Sequence, residues 1–260
     1  MTFSEQFIYA MIKPGKYKEL LELKKSRSVL FAVVLTVMLG IIGYAIPVAA
    51  VISGFGGFEK LFGSTMSPMV VENGQMQIEQ PFFMTVGNLK FVINTQDDRV
   101  ADERLVTEGA YVAVGKKEIR LAISGGGKVT DYVVYKVSDF FPNGFSNDSL
   151  KRMIPRIYAI LILSFVVSCL GYFIKYAFLS LVFSITVNAM NKHFQLGLSF
   201  GQVFMLCFYG QTLGIIISNF NSALNLLPQM IVSFVCVLVS IRMITTAIVV
   251  LKGPPDGEWR

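Results

Sequence analysis

Apolar residues recur along this chain in two rhythms. From Val29 to Ile52 they run for 24 positions without a charge. From Met153 to Leu251 they dominate again, with only Arg156, Lys175, Lys192 and Arg242 as full charges and no Asp or Glu. About 20 consecutive apolar residues suffice to span a bilayer. The pattern therefore predicts a first transmembrane helix at 29–52 and a transmembrane helical block at 153–251. Within that block the run Ile154 to Met190 covers 37 residues, about 55 Å of helix and nearly twice the hydrocarbon core. One long tilted helix fits this length, and so does a hairpin near Gly171–Lys175. The single crossing is preferred. With spans at Phe200 to Ser218 and Leu226 to Leu251 it gives four spans; the hairpin gives five.

Between the blocks, from 54 to 150, the rhythm changes to period two. Met76-Gln77-Ile78 follows an Asn73-Gly74 turn. Leu89, Phe91 and Ile93 alternate with their neighbours, as do Ile119, Leu121 and Ile123. Val129, Val133, Tyr135 and Val137 share a face after the turn Ser124-Gly125-Gly126-Gly127-Lys128. Alternation bounded by such turns is the hairpin signal, so residues 54–150 read as a small β-rich domain. Asp97 to Glu108 is charged enough for a helix or surface loop. The Gly-Gly-Gly-Lys run lacks the Ser or Thr and the following helix that a phosphate loop needs, and it reads as a turn.

Residues 1–28 place Phe3, Phe7, Ile8 and Met11 at helical spacing before Pro14-Gly15, and Tyr17, Leu20, Leu21 and Lys24 after it. Six Lys/Arg against three acids make this a basic amphipathic juxtamembrane segment lying in the headgroup plane. Positive charge before the first span keeps the N-terminus cytoplasmic. The β-rich domain is then extracytoplasmic, the tail 252–260 cytoplasmic, and the chain a multi-pass protein of the cell membrane. Val48-Ala49-Ala50 resembles a signal cleavage site, but the apolar core before it exceeds the 7–15 residues of a signal. Lys151, Arg152 and Arg156 on the outer side oppose this orientation, and the long domain weakens their vote.

Composition narrows the function. The chain is 53% hydrophobic and 15% charged, with net charge +6, against roughly 25% charged in soluble domains. The middle domain carries nine Lys/Arg against twelve acids, so the positive balance is a membrane-flank signature. No basic patch interleaved with base readers exists, and nucleic acid is not a partner. Cys169, Cys207 and Cys236 all sit in apolar runs and offer no disulfide framework. His193 is the single histidine. It leaves no Ser-His-Asp set and no metal cluster, and neither catalysis nor a cofactor is expected.

Polar residues inside spans are functional candidates by default. Arg242 lies within the last span, with Gln211 beside Tyr209 and Gly210 as its candidate acceptor. Asn188 and Lys175 lie in the long run. Snorkelling and helix–helix hydrogen bonds are the ordinary roles of such groups, and no acid is present for a proton relay.

Two stretches carry a resemblance. IKPGKYKEL before the first span and ENGQMQIEQPFFMTVGNLKFVINT in the middle domain resemble the bacterial domain of unknown function 1189 family, in which some members are labelled maltodextrin-utilisation proteins. Asn94 stands where that family commonly has Asp, which removes any role resting on a carboxylate there. SLVFSITVNAMNKHFQLGLSFGQVFMLCFYGQTLGIII resembles the Yip-type membrane fold, whose turn is cytoplasmic. The first resemblance implies a link to sugar uptake, the second membrane organisation or partner binding. The expectation is a non-enzymatic accessory, sensing or partner-binding protein whose partners are the lipid bilayer and other membrane proteins or a transporter. The alternative is a small transporter or channel subunit.

Overall fold

The computed structural model describes residues 1–86, 89–96, 109–125, 128–224 and 226–253. The expected Asp97–Glu108 element, the centre of the glycine turn and the tail beyond Gly253 lie outside them. The chain divides into two compact units, one of Met1–Val48 with Leu161–Arg260, the other Ala49–Ile160.

In chain order, α1 (Phe3–Ile12) and α2 (Tyr17–Leu21) precede α3 (Lys25–Gly40), a π-turn at Ile41–Ala45 and α4 (Ile46–Gly54). A reciprocal cap starts α1: Thr2 Oγ1 accepts from the Glu5 N–H and Glu5 Oε2 accepts from the Thr2 N–H. These bonds to Thr2, the backbone one foremost, hold the Glu5 carboxyl below its ordinary pKa. The π-turn falls just before Pro47, whose missing N–H and bulky ring interrupt the helical ladder.

Among the described residues four helical stretches are long and apolar enough to cross a membrane: Lys25–Gly54, Asn147–His193, Phe200–Leu224 and Gln229–Lys252. The second, third and fourth are α7, α8 and α9, after the short α5 (Phe58–Lys60) and α6 (Val137–Phe140). Helix α7 is unbroken over 47 residues, so the hairpin at Gly171–Lys175, and with it the fifth span, is corrected. A Cβ at Gly171 would meet nothing within 4 Å. That glycine neither turns the chain nor admits a close neighbour.

The amphipathic face expected of α1 is met in part. Phe7 and Met11 pack against the helical core and Gln6 and Ala10 are buried, whereas Ile8 and Ile12 are exposed. The Phe3 and Phe7 rings lie tilted around Phe31 of α3, with centroids 6.1 and 6.0 Å away. Gln6 is buried because Tyr209 of α8 offers it a partner. After this helix, Tyr17 and Leu20 are buried as expected.

The other unit is β-rich. Strands β1 (Met69–Glu72) and β2 (Gln75–Ile78) pair antiparallel. Between them Asn73 and Gly74 take φ of 51° and 70°, the left-handed pair that a two-residue hairpin requires. Met69, Val71, Met76 and Ile78 point into the core. A five-stranded sheet has the order β3 (Phe82–Val86), β4 (Leu89–Ile93), β5 (Gly109–Val114), β6 (Glu118–Gly125), β7 (Lys128–Lys136). All its neighbours are antiparallel except β4 and β5. Asn147, first residue of α7, fastens this unit. Its Oδ1 accepts from the Met69 N–H at 2.9 Å, and its Nδ2 donates to the Phe62, Met66 and Ser67 carbonyls.

Candidate functional site: the polar positions of the helical unit

Among its described residues the helical unit buries eleven polar side chains, none of them charged, and each makes a hydrogen bond inside the unit. Thr36, Ser180, Ser184, Thr212 and Ser240 donate to carbonyls one turn back in their own helices, the usual resolution for a hydroxyl in a helix. The others build four local devices.

At the first, Gln6 Nε2 donates to the Tyr209 hydroxyl at 3.0 Å, and that hydroxyl donates to Ser28 Oγ at 3.1 Å. Phe31 and Tyr17 meet the Tyr209 ring edge-on, with centroids 5.1 and 6.4 Å away. At the second, Gln211 Nε2 donates to Ser180 Oγ at 2.8 Å and to the Cys207 carbonyl at 3.1 Å, joining α8 to α7. At the third, Asn219 Nδ2 donates to the Leu39 carbonyl at 2.7 Å while its Oδ1 accepts from the Tyr172 hydroxyl. Gly43 in the π-turn makes room for it, since a Cβ there would collide with the Tyr172 hydroxyl and Asn219 Oδ1.

The fourth device is a pair of loop clamps. Asn191, near the end of α7, binds both polar backbone atoms of Leu198: Nδ2 donates to its carbonyl at 2.8 Å and Oδ1 accepts from its N–H at 3.1 Å. Asn221, near the end of α8, does the same to Leu227 at 3.0 and 2.9 Å. One amide thus imitates a strand partner at each end of α8.

Helices α8 and α9 meet through glycine. At Gly214 a Cβ would lie 2.9 Å from the Cys236 carbonyl oxygen and 3.0 Å from Ser240 Oγ. At Gly210 it would collide with Ile244. Gly210 and Gly214, one turn apart, let α9 approach as small residues do in helix pairs.

The four residues singled out from sequence separate. Gln211 is buried and spent on Ser180 and Cys207. The expected Arg242–Gln211 pair is not formed. Arg242 is exposed because the buried stripe of α9 runs through Val232, Cys236, Ser240, Met243 and Ala247. Two residues past Ser240 is about 200° around the helix. No counter-charge to Arg242 lies among the described residues. Lys175 is exposed and rests 5.5 Å from the Tyr176 ring centroid. Asn188 is half-buried and joins none of these networks.

The residues missed from sequence are Gln6, Tyr172, Asn191, Asn219, Asn221 and the Gly210–Gly214 pair. The spacing Gly-x-x-x-Gly was the one available signal.

What this arrangement does chemically is hold helices and loops in register without any buried charge. Among the described residues no group of three or more His, Cys, Asp or Glu could hold a metal ion.

A family model described as "Protein of unknown function (DUF1189)" matches residues 4–251. No curated protein and no solved structure matches the chain.

Proposed function

The chain belongs to the DUF1189 family, and we propose that it is a non-enzymatic integral protein of the cell membrane that binds a partner membrane protein through its outward charged residues. On this reading the N-terminus is cytoplasmic, four helices cross the bilayer, and the β-rich unit lies outside as a ligand- or protein-binding domain. The role is accessory or sensing. A connection to maltodextrin uptake, and a Yip-like organisation of the spans from Ser180 onward, rest on the two sequence resemblances described above.

Arg242 carries the reading. It is the fourteenth residue of a 24-residue helix, faces outward and has no counter-charge among the described residues. An arginine at a helix centre opposes insertion by about 2.5–3.5 kcal/mol, and Lys252 lies about 15 Å further along the helix. An acidic side chain on a neighbouring span offsets that penalty. The interior supports the same conclusion, since its polar groups are uncharged and already bonded to one another.

Capture of the tagged full-length chain from native membranes tests this. Wild type and Arg242→Lys are expected to retain a membrane protein that Arg242→Leu loses at equal expression. Capture indifferent to Arg242→Leu contradicts the reading. The alternative, a small transporter or channel subunit, is favoured by one feature, the π-turn at Ile41–Ala45 beside Tyr172 and Asn219. Such turns often accompany function. Substrate-specific flux from purified protein in liposomes supports it against partner binding.

A further inference from the structure

A recess of about 780 Å³ opens between the Leu20–Val29 segment and the start of α8, within the ~300–1,000 Å³ of small-molecule sites. Its lining is divided by chemistry. Leu20, Leu23, Val29, Phe204 and Met205 make an apolar wall, while Lys25, Ser28, Ser199 and Gln202 supply the polar groups. No acid lines it.

Two observations point to an anionic occupant. Lys25 is exposed and has no ion-pair partner among the described residues. Lys24 caps α3 without a side-chain bond; the Arg27 N–H turns to the Lys24 carbonyl, and the Lys25 and Ser26 N–H groups keep the positive end of the helix open. Independently, Ser28 is buried at 7% exposure and lines the recess. Its Oγ accepts from Tyr209, and its own hydroxyl donates no bond among the described residues. A donor so placed calls for an oxygen inside the recess. Ser199 and Gln202 are satisfied by each other and do not compete.

We propose that this recess binds one anionic phospholipid, with its phosphate at Lys25, an ester oxygen accepting from Ser28, and its upper acyl chain against the apolar wall. The proposal rests on the membrane placement given above, though not on Arg242 or any protein partner. Through Tyr209, the Ser28 end of the site touches Gln6, so lipid occupancy also bears on how α1 is held.

The test uses purified full-length protein in a neutral detergent, titrated with phosphatidylglycerol or phosphatidylcholine and read by native mass spectrometry. Phosphatidylglycerol is expected to bind as a single saturable copy at least tenfold more tightly than phosphatidylcholine. Lys25→Gln should weaken it about fivefold, the contribution of one lysine near an anionic surface. Gly201→Leu should block the site. Gly201 lines the recess and a Cβ there would meet nothing within 4 Å, so the larger side chain fills empty space and leaves the fold intact. Lys192→Gln, outside the recess, should leave binding unchanged. Equal binding of the two lipids overturns the proposal, as does full phosphatidylglycerol binding by Gly201→Leu. A chain that stays monodisperse without detergent overturns instead the membrane placement, so the two failures read differently.

Discussion

Gly214→Ala adds a methyl carbon to α8 at a point 2.9 Å from a backbone oxygen, that of Cys236, and 3.0 Å from Ser240 Oγ. The nearest obstacle is main chain, so no side-chain rotation relieves it, and α8 and α9 must separate locally. Overpacking of this kind destabilises by about 1–3 kcal/mol. Against it stands about 0.5–1 kcal/mol from removing a glycine inside a helix. The balance is a loss of up to about 2.5 kcal/mol, centred near 1 kcal/mol. Gly171→Ala is the matched control, lying in the interior of α7 with nothing within 4 Å of the added carbon. It should stabilise by about 0.5–1 kcal/mol, the propensity gain alone. Reversible unfolding of both variants in mixed micelles, driven by sodium dodecyl sulfate and followed by circular dichroism, gives the two signs. If Gly214→Ala matches or exceeds wild type, α8 and α9 do not meet at this glycine.

The other predictions follow the polar devices. Asn191→Ala and Asn221→Ala each strip both polar backbone atoms of a loop residue of their partner, and each should destabilise by about 1–3 kcal/mol in the same assay; hydrogen exchange should rise in the affected loop alone. Gln211→Leu should weaken the bundle by about 0.6–2 kcal/mol, whereas Arg242→Leu should change stability by less than about 0.5 kcal/mol, the reverse of what a direct pair between them would give. For Glu5 the folded carboxyl sits below its ordinary pKa of 4.5, so its contribution is present above that pH and is lost as the pH falls through the lowered value. Amides of α1 should therefore exchange faster at pH 3 than at pH 6 relative to the rest of the chain, and Glu5→Gln should abolish the difference; an unchanged pH response in that variant contradicts the capping role.

Much of the fold could be read from local pattern. Asn73-Gly74 names its own turn, and alternation marks β2, β4, β6 and β7; in β2 it reflects a core under Met76 and Ile78, whereas Leu121 of β6 and Val133 and Tyr135 of β7, expected on an inner face, are exposed. Strand β3 escaped because Phe82, Phe83 and Met84 are apolar in succession, and β5 because Ala110 to Val114 do not alternate. The parallel pairing of β4 with β5 depends on a crossover, which no neighbouring residue announces. In the helices the difficulty was phase. Helix α9 is apolar on every side, so nothing in the sequence says that Ser240 faces inward and Arg242 outward. That is why the Arg242–Gln211 pair looked plausible. The asparagine clamps were illegible for another reason: their partners are backbone atoms, which carry no sequence signature. They also bear on experiment, since a cysteine in place of Asn191 or Asn221 would remove both clamp bonds of its loop.

The most direct test of the central claim is cysteine accessibility in intact cells, in a background lacking Cys169, Cys207 and Cys236. Single cysteines at Ser138 in the β-rich unit, Lys192 at the end of the long helix and Leu226 between α8 and α9 occupy exposed positions whose side chains make no clamp bond. With four crossings and a cytoplasmic N-terminus, a membrane-impermeant maleimide should label Ser138→Cys and Leu226→Cys from outside and reach Lys192→Cys only after the membrane is opened. Labelling of Lys192→Cys in intact cells, with Leu226→Cys protected, would contradict the account.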